Sequence, residues 1–202
     1  MEKRHLAAVV GLALGLAIAD PAIADDQVGT LSLDGLSFIT FQGYGNLTLP
    51  SGSTIKFHFG TPGPDGSVGF SIAPSDVAIG PITAEPGVTI QYALASSTSG
   101  TVQKVNGALQ IAFGANVQAT LARPDGAGGS ATYALTFTTQ TASATSADGS
   151  QTVQVDGVPV VRGANYVQLV GGATNRTDAA VGPGSAVYSV LSGSFDQIPA
   201  LP

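Results

Sequence analysis

Thr54-Ile55-Lys56-Phe57-His58-Phe59 alternates between apolar and polar side chains, with Ile55, Phe57 and Phe59 on one face and Lys56 and His58 on the other. Successive Cβ atoms of an extended chain point to opposite sides, so this period of two reads as a β-strand with one face in a core and one in water. The pattern recurs along the chain. Ile90, Tyr92 and Leu94 share a face, as do Leu109, Ile111 and Phe113, and Tyr133, Leu135 and Phe137. Val153 with Val155, and Val167 with Leu169, extend the series.

Between the strands lie turn dipeptides. Asp-Gly stands at 34–35, 65–66, 125–126, 148–149 and 156–157, and Asn-Gly at 106–107. Such pairs accept the positive φ angles that tight hairpins require. The chain holds 27 Gly and 12 Pro, which leave few segments able to carry a long helix. Turn signals at intervals of roughly ten residues predict about a dozen short, mostly antiparallel strands. The expected fold class is therefore all-β: an antiparallel β-sandwich, jelly-roll-like, or a barrel. A parallel β-helix is a minor option that local hairpins disfavour.

Three segments depart from this regularity. Asp34-Gly35, Ile39, Phe41, Asn46 and Leu49 are echoed by Asn106-Gly107, Ile111, Phe113, Asn116 and Leu121, consistent either with two related sheets or with chance. Residues 138–151, rich in Thr, Ala, Ser and Gln, read as a strand end running into a flexible loop. The tail Phe195-Asp196-Gln197-Ile198-Pro199-Ala200-Leu201-Pro202 reads as an extended surface segment, since its prolines forbid a central strand.

The first residues have a different character. Met1-Glu2-Lys3-Arg4-His5 is basic, Leu6 to Ala19 is apolar, and Ala22-Ile23-Ala24 is a small-x-small triplet after Pro21. This is the anatomy of a secretory signal peptide of bacterial type, with the cut expected between Ala24 and Asp25. The apolar run is shorter than the roughly 20 residues that span a bilayer. The expected organisation is a signal peptide at 1–24, then one all-β domain at 25–202, with no transmembrane segment in the mature chain.

The mature chain would keep Lys56, Lys104, Arg123, Arg162 and Arg176 against eleven acids, a net charge near −6. That balance argues against nucleic acid and against anionic membrane surfaces. With no Cys, disulfide scaffolds and thiolate metal sites are excluded. Charged residues make up only 10% of the chain, so hydroxyls supply most of its polar surface.

No catalytic signature emerges. His58 is the one histidine beyond the signal peptide; it lies on a polar strand face beside Lys56 and reads as solvated. Gly-x-Ser-x-Gly does not occur in residues 25–202. Glu85 sits in the turn sequence Ala84-Glu85-Pro86-Gly87, and Asp76 reads as a loop cap. Five aspartates have a turn explanation in the glycine that follows them. Asp178, in Asn175-Arg176-Thr177-Asp178, is the acid with the most polar surroundings. No Asp-x-Asp-x-Asp calcium run is present, and no metal or cofactor is expected. The sequons at Asn46 and Asn175 are incidental in a bacterial setting.

Tyr44, Tyr166 and Tyr188 fall out of phase with their apolar neighbours and, with Asp178, are the candidate binding residues. Three functions fit these observations. The first is an exported, non-catalytic protein with a structural, adhesive or binding role in the periplasm, at the cell surface or in the medium. Its partners would be protein, glycan or further copies of itself. The second is a carrier of a small apolar ligand, with Phe57, Phe59, Phe70 and Phe113 lining a pocket. The third is a hydrolase that uses carboxylates alone. A transmembrane barrel fits less well, because the aromatic girdles of such barrels have no counterpart here.

Overall fold

The computed structural model describes residues 27–41, 43–140, 144–145, 150–155, 157–173 and 187–201. The expected signal peptide at 1–24 and the candidate Asp178 lie outside these residues. Among the described residues the chain is almost entirely β, with one turn of 3-10 helix at Pro74–Asp76.

The first half supplies β1 (Gln27–Leu33), β2 (Phe38–Phe41), β3 (Gly45–Thr48), β4 (Thr54–Pro62), β5 (Val68–Ile72), β6 (Val77–Ala78), β7 (Ile82–Glu85) and β8 (Val88–Leu94). The second supplies β9 (Thr98–Val105), β10 (Ala108–Ala122), β11 (Gly129–Thr139), β12 (Ala144–Thr145), β13 (Gln151–Val155), β14 (Val158–Arg162), β15 (Tyr166–Ala173) and β16 (Val187–Phe195). Every pairing among the described residues is antiparallel.

Thirteen strands form one sheet, and its hydrogen-bonded path closes on itself through β1-β4-β5-β9-β10-β11-β15-β16 and back to β1. Eight strands in a ring leave an interior just wide enough for side chains. The alternation found in the sequence fills it. Ile55, Phe57, Phe59, Phe70, Ile111, Phe113, Leu135 and Phe137 are all buried. Phe57 touches four other rings, those of Phe59, Phe70, Phe113 and Phe195, at centroid distances of 6.0, 4.9, 6.4 and 5.0 Å. Phe113 stacks on Phe137 at 4.9 Å. Glycines on the facing strands make room for these rings. A Cβ at Gly171 would overlap the Phe137 ring, and one at Gly100 would lie 2.6 Å from the Phe113 Cβ.

Two long strands of this wall, β10 and β16, have interrupted partners that match one another. β8 and β9 run in the same direction along β10, where Leu94 faces Val117 and Gly100 faces Phe113. Residues 95–99 thus stand opposite 114–116, an excess of two. β1 and β2 do the same along β16, where Leu33 faces Gly193 and Phe38 faces Val190, so 34–37 stand opposite 191–192. Extra residues bend a strand and raise its twist. Above each break the strand departs from the ring: β8 pairs with β7, and β2 with β3. Hydroxyls fill the ladder at each break. The Ser37 hydroxyl donates to the Ser192 carbonyl (2.8 Å) and accepts from the Ser192 N–H (2.9 Å), and the Thr98 hydroxyl donates to the Gly114 carbonyl.

Several turns match the sequence reading. Asn106 and Gly107, at φ 51° and 82°, join β9 to β10 as a primed turn. Asp65-Gly66 joins β4 to β5, and Asp125-Gly126 joins β10 to β11. Other expectations are corrected. Asp34-Gly35 makes no hairpin: Asp34 accepts the Leu36 N–H in a break through which the chain continues in the same direction. The echo of Asp34–Leu49 at Asn106–Leu121 is not a structural repeat, because the first spans a break, β2 and β3, whereas the second spans a hairpin turn and β10 alone. Within 138–151, Ala144–Thr145 pairs with β13 as β12, in a separate three-stranded sheet β12-β13-β14. Phe195 does not belong to a surface tail; it ends β16 with its ring in the core. Beyond it the chain crosses β1, where Asp196 exchanges bonds with Thr30 and the Gln197 amide donates to the Val28 carbonyl. Ile198 and Leu201 then pack against the core.

Candidate functional site

The outward faces of β10 and β11 carry Gln110, Asn116, Gln118, Thr120, Thr132, Thr136 and Thr138, while Leu, Ile, Val and Phe face inward. This is the reverse of a lipid-facing barrel, whose outer wall is apolar. No helix among the described residues is long and apolar enough to cross a membrane.

The four binding candidates separate. Tyr166 is buried, 2% exposed, with the Arg162 guanidinium 5.3 Å from its ring, so it offers no contact face. Its out-of-phase position is buried because the β13–β14 hairpin approaches that side of β15, where the Gln151 amide donates to the Tyr166 carbonyl (2.9 Å). Burial raises the pKa of the Tyr166 hydroxyl, and Ser192 and Arg162 offset part of that shift. Tyr44 is half-buried against the core, and its hydroxyl accepts from Arg123 at 2.9 Å. Tyr188 is 42% exposed and lies 6.3 Å from the Phe38 ring. Asp178 lies outside the described residues.

Tyr188 belongs to a continuous cross-strand row. Gly114 pairs with Thr136, Thr136 with Gly172, Gly172 with Tyr188, Tyr188 with Thr40, and Thr40 with Asn46. Each of the six positions has a buried strand neighbour in Phe113, Leu135, Gly171, Ser189, Ile39 or Leu47, so the row lies on the outer wall. Strand spacing of about 4.8 Å makes it about 24 Å long. The Tyr188 ring leans over Gly172, whose missing Cβ would be 3.7 Å from the ring. The Thr40 hydroxyl donates to Asn46 Oδ1 at 2.6 Å, and the Asn46 amide nitrogen makes no protein bond among the described residues. At its β10 end the row opens into a concavity of about 270 Å³ lined by Ser96, Ser97, Thr98, Gly114, Asn116 and Thr136. The β8–β9 break produces this hollow, because residues 95–99 bow away from the β10 ladder. None of the residues lining the hollow is ionisable, and the row adds only the Tyr188 phenol. Sequence reasoning singled out Tyr188 but missed the row, which exists only through the pairing of six strands.

The acids sit elsewhere. His58 is not simply solvated: its Nε2 is 3.2 Å from Asp76 Oδ2, with the two side chains 35% and 13% exposed. Asp76 caps its turn as expected, accepting the Ala73 N–H at 2.8 Å. Burial alone would raise the Asp76 carboxyl, but the Ala73 amide, the His58 ring and the Lys56 charge outweigh it and hold the pKa below its ordinary value. Asp65 and Asp125 accept amides within their own turns. Among the described residues no group of three or more His, Asp or Glu is placed to hold a metal.

A small apolar cavity of about 30 Å³ lies in the interior between Ile55, Ile72, Val77, Leu94 and Phe113. Ligand sites for organic molecules are roughly 300–1,000 Å³. Phe57, Phe59, Phe70 and Phe113, the side chains expected of a carrier's pocket, pack on one another instead. The fold and this face define a filled, antiparallel β-barrel that carries an uncharged row across β10, β11, β15, β16, β2 and β3 of its outer wall. Protein-family models, curated proteins and solved structures offer no match to the chain.

Proposed function

We propose that this chain is an exported, non-catalytic β-barrel protein with a structural, adhesive or binding role in the periplasm, at the cell surface or in the medium. The observation that carries this reading is the division of labour between the two sides of the wall. The inside is filled by phenylalanines that touch one another, and the outside presents hydroxyls, amides and the exposed Tyr188. A filled interior favours contact on the outer surface over carriage within it. Asp65, Asp76 and Asp125 accept backbone amides in turns and a cap, which favours a role without acid–base chemistry. Export rests on the basic start, apolar run and Ala22-Ile23-Ala24 triplet.

Fractionating the producing cell tests the reading. The expected result is mature protein beginning at Asp25, in the periplasm, on the surface or in the medium. Full-length precursor held in the inner membrane overturns it. A stoichiometric apolar compound extracted from the purified protein overturns the filled-barrel argument in favour of a carrier.

A further inference from the structure

We propose that the outer-wall row from Gly114 to Asn46, with the hollow at its β10 end, is a binding track for a neutral saccharide chain. This names a partner for the exported binding role above and rests on that reading. The first argument is charge. The row Gly114–Thr136–Gly172–Tyr188–Thr40–Asn46 contains no acid or base, and neither does the parallel row Ala112–Thr138–Val170–Val190–Phe38–Thr48. Anionic polymers and lipid headgroups are recognised through Lys and Arg, and this face offers none.

The second argument is the donor and acceptor inventory. Ser and Thr hydroxyls donate and accept, and a side-chain amide does both. Ser96, Ser97, Thr98, Asn116 and Thr136 line the hollow at one end, and Thr40 and Asn46 stand at the other. Saccharide hydroxyls have the same dual character, so each can be matched without burying a charge. Between the two polar ends stands Tyr188. Its ring, leaning over Gly172, presents an apolar platform to the C–H face of a sugar and a hydroxyl to its rim.

The third argument is shape. Gly172 seats the ring, and Gly114 leaves a trough on the approach to it; a Cβ at Gly114 would have only the Leu135 carbonyl oxygen near it, at 3.9 Å. A track of about 24 Å suits an extended chain better than a single ring. A protein partner fits less well. Specific protein interfaces bury about 800 Å² per side around an apolar, aromatic centre. Here Tyr188 is the one strongly exposed ring among the described residues, with Phe38, Val170 and Val190 beside it half-buried or buried.

Affinity electrophoresis of protein purified from the producing cell tests the track, with dextran, laminarin and hydroxyethyl cellulose as neutral probes and dextran sulfate as the anionic control. The expected result is retardation in at least one neutral gel, insensitive to added salt and absent with dextran sulfate. Tyr188→Ala should weaken it about tenfold, the scale of losing one stacked ring. Gly114→Val should weaken it comparably by filling the trough, and both variants should melt at the wild-type temperature. Free passage through all three neutral gels overturns the proposal, as does retardation that survives both substitutions or appears only with dextran sulfate. Processed protein outside the inner membrane that passes every gel unretarded overturns the track alone. Unprocessed precursor in the inner membrane overturns the parent reading whatever the gels show.

Discussion

Tyr92 is buried in the core, and its hydroxyl meets that of Ser189 at 2.7 Å. Burial pushes the Tyr92 phenol well above its ordinary range, and the bond to Ser189 offsets only part of that shift. The folded state therefore keeps the phenol protonated where the unfolded chain has released it. Tyr92 leaves stability unchanged below its unfolded pKa of about 10, and stability falls by up to about 1.4 kcal/mol per pH unit above it. Ser189→Ala strands the hydroxyl in the core and should cost about 1–3 kcal/mol, read by urea unfolding at neutral pH. Asp76 acts at the other end of the scale. Its carboxyl is held below the ordinary value, so its contribution is present above about pH 3.9 and is lost as pH falls through the folded value. Asp76→Asn should lower the melting midpoint at neutral pH, and the difference from wild type should shrink as the buffer is acidified below that range. The sequence placed Asp76 as a cap and His58 on a polar face. It could not show that the 73–76 turn folds back over β4, because that contact depends on the β4–β5 pairing.

At the scale of the element, the strands were legible because alternation and burial have the same cause. Each inward position of β4, β10 and β11 was visible as an apolar residue two places from the next. Phe57 shows what that alternation produces: one ring in contact with four others from β4, β5, β10 and β16. Phe57→Ala should lower unfolding free energy by about 3–5 kcal/mol, since the surrounding rings belong to four strands and cannot all collapse inward. β14 illustrates a different device. Val158 and Val161 are 60% and 70% exposed, and one edge of the hairpin pairs with nothing among the described residues. The two-residue connection after Val155 makes Val155 and Val158 a hydrogen-bonded pair, so residues 159 and 161 turn their backbone groups outward. Pro159 has no N–H, which removes one of the two outward donors and blunts the edge against strand addition. Pro159→Thr restores that donor. It should produce concentration-dependent association in light scattering, where the parent protein shows less.

At the scale of the whole molecule, the ring closes between the first described strand and the last. β1 pairs with β16 through Leu31 and Phe195, and β16 also carries β15 and β2. A chain ending at residue 186 would lose the partner of three strands. It should show no cooperative thermal transition and should bind the dye ANS, which reports exposed apolar surface. The amino-acid sequence by itself determined the all-β class, the inward faces of β4, β8, β10 and β11, the turns at 65–66, 106–107 and 125–126, and the sparsely charged, cysteine-free composition. These follow from local rules, in which side-chain period and turn chemistry act within a few residues. Only the tertiary structure decided that the strands close into a ring, that Asp34-Gly35 marks a break, that Tyr166 is buried, and that Gly114, Gly172, Tyr188 and Asn46 fall on one line. Closure and register are set by pairings between residues far apart in the chain, and alternation specifies which face a side chain takes but not which strand lies beside it.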